Sequence, residues 1–297
     1  MTTNHRGNRD NQPGATRAAA AAKTPPLTLA DGQSHFATHG AERIHYVTLG
    51  HGQKTFVLVH GWACNLRVWR EQIAALAGDA RLILIDLPGH GQSGQPHAEY
   101  SMNFFADAVL AVLRAAGVEQ ATFIGHSMGA AVICRVCAQA PEKVVALVSV
   151  DGLLKRPQGA PGQAELLLAQ LQSPHYLAVA TGLAASFFPV AGTEKLRDET
   201  VAEMLLTPHH VMAGAMAGLL DAKNPDWDLK RVAVPVIALN AKNSPWMAGY
   251  EDYVRTLSPQ SACRQFENAG HFLMLEQPAA FNDALMERLR EFNLFAK

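Results

Sequence analysis

Gly125-His126-Ser127-Met128-Gly129 is the segment of this chain best equipped to do chemistry. A serine hydroxyl is a weak nucleophile at neutral pH. It needs a base to take its proton and donors to hold the charge that forms when it attacks a carbonyl. Glycines two residues either side of a serine fit a tight strand-to-helix turn that pushes the hydroxyl out over the end of a sheet. The flanks agree with that geometry. Ala121 to Ile124 reads as a strand, and Met128 to Ala140 reads as a helix. The Met128 amide then lies at a helix N-terminus, where backbone N–H groups have no partner within the helix and favour negative charge. The chemistry implied is acyl transfer through a covalent intermediate on Ser127.

The elements around this turn alternate. Arg43 to Leu49, Thr55 to Val59, Arg81 to Ile85 and Val144 to Val150 read as strands, the last apolar at every position but Ser149 and suited to burial on both faces. Leu66 to Leu76 and Met102 to Ala116 read as helices. The alternation predicts an α/β fold with a mostly parallel central sheet and helices on both sides. The rhythm then breaks. Between Gly152 and Asp226 only helical patterns occur, at Ala164 to Leu171, Tyr176 to Phe188, Glu194 to Leu206 and His210 to Leu220. It resumes with strands at Val234 to Leu239 and Ala262 to Glu267 and a final helix from Pro278 to Phe295, proline being tolerated at a helix start. The expected organisation is a disordered tail over 1–26, a core formed by 27–151 and 227–297, and a helical cap over 152–226 inserted between two late strands.

Composition narrows the function. A formal net charge of −1 with 17% charged residues argues against a nucleic-acid partner. No run reaches the roughly 20 apolar residues that a membrane span needs. Four cysteines in 297 residues do not form a disulfide framework. Cys134 and Cys137 have C-x-x-C spacing, but they sit in an apolar helical run with no second pair to complete a zinc site. The first 26 residues lack the apolar stretch of a signal peptide. A cytoplasmic location is expected, with secretion left open.

With these motifs the chain resembles the α/β-hydrolase superfamily, in its branch of capped esterases, lipases and C–C hydrolases, from about residue 33 onward. Three further segments carry the resemblance: Val57-Leu58-Val59-His60-Gly61-Trp62, Asp86-Leu87-Pro88-Gly89-His90-Gly91-Gln92-Ser93, and Gly270-His271-Phe272 followed by Glu276-Gln277-Pro278. The resemblance implies that His271, in the loop after the last strand, is the base. It implies that the backbone amides of Trp62 and Met128 form the oxyanion hole. Of the thirteen histidines, His60, His90 and His126 are expected to be structural.

The acid departs from the family pattern. The segment where an aspartate is usual reads Asn240-Ala241-Lys242-Asn243-Ser244-Pro245. Some members, including haloalkane dehalogenases, carry the acid at the end of the preceding strand, which here is Asp151. Asp151 is therefore taken as the acid, with Asp252, or Glu251 beside it, as the fallback. An asparagine would hold the imidazole in the wrong tautomer for a base.

The expected activity is that of a carboxylesterase on small to medium apolar esters, with no cofactor and no metal, as a monomer or homodimer. Leu166, Leu167, Leu168, Phe187, Phe188, Met204, Met212 and Met216 are candidates to line the acyl pocket. C–C bond hydrolysis, lactone hydrolysis and perhydrolysis on the same scaffold are the rival chemistries. A catalytically weak ligand-binding homologue is the rival of a different class.

Overall fold

The computed structural model describes residues 1–2, 26–155, 162–220, 229–242 and 249–295. An eight-stranded sheet runs through it in the order β1-β2-β4-β3-β5-β6-β7-β8. Its strands are β1 (Gln33–His39), β2 (Glu42–Leu49), β3 (Lys54–Val59), β4 (Ala80–Ile85), β5 (Ala121–His126), β6 (Val144–Val150), β7 (Val236–Ala241) and β8 (Ser261–Phe266). Strands β1 and β2 pair antiparallel, as do β2 and β4, and every pairing from β4 through β8 is parallel. The sequence leads to seven of these strands. β1 escapes because it lies at an edge and buries only Ala37, so its side chains carry no apolar alternation. All six residues of β5 and six of the seven of β6 are buried, as central parallel strands require.

Helices α2 (Met102–Ala115), α3 (Met128–Gln139), α8 (Tyr250–Leu257) and α10 (Pro278–Glu291) connect or follow the strands. The segment expected to be one helix from Leu66 divides into a 3₁₀ stretch, Leu66–Gln72, and a single α turn, α1 (Ile73–Leu76). A second short turn, α9 (Leu273–Glu276), precedes α10. α10 ends four residues before the expected Phe295, with Asn293 at φ 55° beyond its end. Asparagine adopts this left-handed backbone more readily than most residues. Trp69, Phe56, Phe105, Phe123 and Phe281 are fully buried in the core against the sheet.

Between β6 and β7 lie the cap helices α4 (Gln163–Gln172), α5 (Tyr176–Ser186), α6 (Glu194–Met204) and α7 (His209–Leu220). Most of the expected tail (3–25), parts of the expected cap (156–161 and 221–226) and the segment Asn243-Ser244-Pro245 lie outside the described residues.

Candidate active site

Ser127 joins β5 to α3 with φ 54° and ψ −120°, a backbone that non-glycine residues rarely adopt. Such a conformation costs about 1–3 kcal/mol and persists only where the surroundings impose it. Strand and helix impose it here by close approach. A Cβ on Gly125 would lie 2.5 Å from the Gly129 carbonyl oxygen, and one on Gly129 would lie 2.3 Å from the Val59 oxygen. The Ser127 amide donates to Val150 O at 3.1 Å, fixing the turn against the end of β6. Met128 opens α3, so its N–H points out of the helix end.

Ser127 is not alone in this strain. Ala63 (φ 54°), Asp151 (φ 39°) and Asn268 (φ 52°) also have positive φ without being glycine. All four follow a strand whose chain continues past the same edge of the sheet, after β3, β5, β6 and β8. Strained residues gather where side chains must be aimed rather than packed.

Asp151 is 1% exposed. Its amide donates to Leu239 O at 2.8 Å, and its Oδ1 accepts the Ala241 amide at 2.9 Å. Oδ2 accepts from His271 Nδ1 at 2.7 Å. With Nδ1 donating, Nε2 carries the basic lone pair of the imidazole. The fallback acids are placed elsewhere. Asp252 is exposed on α8, and Glu251 pairs with Arg255 at 2.6 Å. No hydrogen bond joins Ser127 to His271 among the described residues; such bonds are often long until substrate tightens them.

The His271 loop is held from four sides. His126, the residue before the serine, donates from Nε2 to the His271 carbonyl at 2.9 Å, and the two rings lie 4.7 Å apart. Burial holds His126 well below the usual histidine pKa, so this ring is a neutral brace. Glu276 accepts the amides of Gly270 (2.8 Å) and Phe272 (3.2 Å), one on either side of His271. Gln277 donates to the carbonyls of Glu267 and Asn268 at 2.9 and 2.8 Å. From the cap, Phe187 O accepts the His271 amide at 2.9 Å, with the Phe187 ring 4.6 Å from the imidazole. The sequence displays Glu276 and Gln277 next to the histidine, but their role depends on a loop that folds back on them, which no spacing reveals.

The loop after β3 packs against the serine. A Cβ on Gly61 would sit 2.9 Å from Ser127 Cβ and 3.0 Å from His126 Nδ1, so only glycine fits. His60 donates from Nδ1 to Gly61 O at 2.8 Å and accepts the Leu87 amide on Nε2 at 3.0 Å, which ties this loop to the one after β4. Burial lowers its pKa, and burial takes that of His90 down to about 3, so both rings are neutral struts. The Trp62 indole donates to Met212 O of α7 at 2.8 Å, and Thr207 donates to Ala63 O at 3.0 Å. Together with the bond from the His271 amide to Phe187 O, these tie the cap to the loops after β3 and β8.

Of the residues expected to line an acyl pocket, Leu166 is 60% exposed and faces solvent. Phe188 stacks on Phe272 at 4.9 Å, and Met204, Met212 and Met216 are buried. Cys134 and Cys137 are buried and form no disulfide. No group of three His, Cys, Asp or Glu is placed to hold a metal among the described residues, and no helix there is long and apolar enough to cross a membrane.

A family model described as alpha/beta hydrolase fold matches residues 54–278. The chain belongs to the α/β-hydrolase family. This α/β hydrolase is 38% identical over 107 residues to the pimeloyl-[acyl-carrier protein] methyl ester esterase of Pectobacterium carotovorum, a match covering 36% of the chain and 40% of that esterase. The chain thus spans less than half the length of the first curated relatives it matches. A longer match, 28% identical over 256 residues, covers 79% of the chain and 74% of an uncharacterized protein of Mycobacterium tuberculosis. Among solved structures, a thermophilic esterase from Thermogutta terrifontis superposes with a TM-score of 0.78 at 22% identity, over 89% of this chain and all of that one. At such identity the superposition speaks for the fold.

Proposed function

We propose that this α/β hydrolase is a serine carboxylesterase acting on small to medium apolar esters. Ser127 attacks the ester carbonyl. His271 Nε2 takes the hydroxyl proton and passes it to the departing alkoxide. Asp151 orients the ring and stabilises its protonated form, and the Trp62 and Met128 amides hold the oxyanion. Water then releases the acid from the acyl-enzyme by the same proton route. In this reading the core comprises 27–151 and 227–297, and the cap comprises 152–226.

The observation that carries the proposal is the buried 2.7 Å bond between His271 Nδ1 and Asp151 Oδ2, beside a serine held in a strained turn. A purely structural aspartate needs no imidazole partner. This one orients the histidine that the loop brings beside His126. The apolar character of the ester is inferred from the cap, where Phe187 lies on the imidazole and α5 carries no charged residue. The methyl ester esterase of Pectobacterium is a relative whose printed activity agrees with ester cleavage.

The test is hydrolysis of p-nitrophenyl esters from acetate to laurate by wild type and Ser127→Ala. The proposal expects wild-type activity peaking at short to medium acyl chains and Ser127→Ala at the buffer rate. Wild type no faster than Ser127→Ala on every ester would move C–C cleavage, lactone opening or simple ligand binding ahead.

A further inference from the structure

A second serine–histidine–aspartate relay lies at the opposite, antiparallel side of the sheet. Ser34 Oγ and His45 Nε2 are 2.8 Å apart, and His45 Nδ1 is 2.8 Å from Asp86 Oδ2. Ser34 is exposed on edge strand β1, whereas His45 and Asp86 are 1% and 2% exposed. In the antiparallel register Ser34 faces Val47 and Phe36 faces His45, so these side chains share one face and Ser34 meets His45 diagonally.

The hydrogen-bond partners of Asp86 and His45 set where the relay's protons lie. Asp86 Oδ1 accepts the Leu66 amide at 2.8 Å, and Oδ2 accepts the Gln92 amide at 3.0 Å as well as His45. The Asp86 amide donates to His45 O, and the His45 amide donates to Ser93 Oγ. Burial pushes the Asp86 pKa up, but the bond from His45, the proximity of His60 and the two amides outweigh it and leave the pKa lowered. A buried carboxylate that stays ionised can only accept, so His45 Nδ1 keeps its proton and donates to it, and Nε2 accepts from the Ser34 hydroxyl. Asp86 and Ser93 belong to a turn that the esterase reading leaves without a chemical role.

We propose that Ser34 is a second, base-activated nucleophile that is acylated or phosphonylated by small activated donors. In that step Ser34 Oγ bonds to the carbonyl carbon or phosphorus, the bond to the leaving group breaks, and the hydroxyl proton passes to His45 Nε2. The leaving group departs as an anion on a face that also carries the Arg43 guanidinium, stacked 3.8 Å over the Phe36 ring. Ser34 lies within a strand, without the helix amides that border Ser127. Stable single modification is therefore its product, rather than turnover. The proposal does not depend on Ser127.

The probe is a small alkyl fluorophosphonate, whose fluoride leaves as the phosphorus bonds to serine. Ser127→Ala protein is incubated with it, and the peptides bearing Ser34 and Ser186 are quantified by mass spectrometry. Ser186 is an exposed serine whose hydroxyl donates only to a main-chain carbonyl, Leu183 O. A positioned general base is worth about 10²-fold or more, so Ser34 is expected to label at least about 10² times faster than Ser186. The Ser34→Ala change in the same background, at an exposed edge position, should abolish that adduct. His45→Gln should bring Ser34 down to the Ser186 rate. If that buried substitution does not fold, the ratio of Ser34 to Ser186 labelling decides. Ser34 unlabelled, or no faster than Ser186, overturns the proposal. Labelling of Ser127 in wild type is scored separately, so the two serines stand or fall independently.

Discussion

Replacing Asp151 by asparagine should nearly silence the enzyme while leaving it folded. The two side chains have the same shape. The asparagine oxygen can still accept the Ala241 amide, now 2.9 Å from Oδ1. Its nitrogen then faces His271 Nδ1 across 2.7 Å, where a carboxylate oxygen stood. That nitrogen donates, so the imidazole must turn its Nδ1 lone pair toward it and carry its proton on Nε2. The proton then occupies the one position that has to receive the Ser127 hydrogen. Loss of the correct tautomer in such a relay lowers kcat by about 10⁴, which is about 5.4 kcal/mol of barrier at about 1.36 kcal/mol per decade. The assay is steady-state hydrolysis of p-nitrophenyl butyrate by wild type, Asp151→Asn and Asp252→Asn, with circular dichroism melts on all three. Asp252→Asn, exposed on α8, should match wild type. A folded Asp151→Asn within tenfold of wild-type kcat would refute the assignment of Asp151, and with it the reasoning from the 2.7 Å bond.

Three further outcomes follow from the same geometry. Gly61→Ala places a methyl 2.9 Å from Ser127 Cβ and 3.0 Å from His126, so the loop must shift; kcat should fall about 10²-fold, the scale of losing one oxyanion donor, with KM changed less. Trp62→Phe keeps an aromatic side chain but removes the indole donor to Met212 O and leaves a small void, and should lower stability by at least about 0.5–1.5 kcal/mol in urea titration. Burial raises the pKa of Glu276 above 4.5, so the folded state binds more protons there than the unfolded state, and this group's contribution to stability declines as pH rises from below 4.5 through the raised value. Glu276→Gln removes that decline. Its stability relative to wild type should improve between pH 4 and 7 in paired melts, and a constant difference across that range would contradict the stated cause.

The central parallel strands are legible in the sequence because both of their faces are buried. Short β-branched apolar runs such as Val144–Val148 suit strands buried on both faces. The edge strands β1 and β8 each bury a single residue and carry a weaker signal, and of the two only β8 shows in the sequence. Ser127 and His271 stand out by motif and by position in the chain. Asp151 could only be proposed because the usual later position, Asn240 to Pro245, holds no carboxylate, and its bond to a residue 120 positions away is a property of the folded loops. The supports are less visible still. Glu276 acts through two backbone amides and His126 through a backbone carbonyl, and backbone groups carry no residue signature. The relay from Ser34 to Asp86 needs three segments brought together by antiparallel pairing, which the residues on any one of them do not announce.

The central claim is that catalysis passes through an acyl-enzyme on Ser127. Mixing the protein with p-nitrophenyl acetate, quenching in acid within the first turnovers and mapping the acetyl group by peptide mass spectrometry tests it most directly. The account predicts a rapid acetyl adduct on the peptide containing Ser127, formed with a matching burst of p-nitrophenol and absent in Ser127→Ala. Ester turnover that persists in Ser127→Ala, or an acetyl group that forms at the burst rate on any other residue, would contradict it.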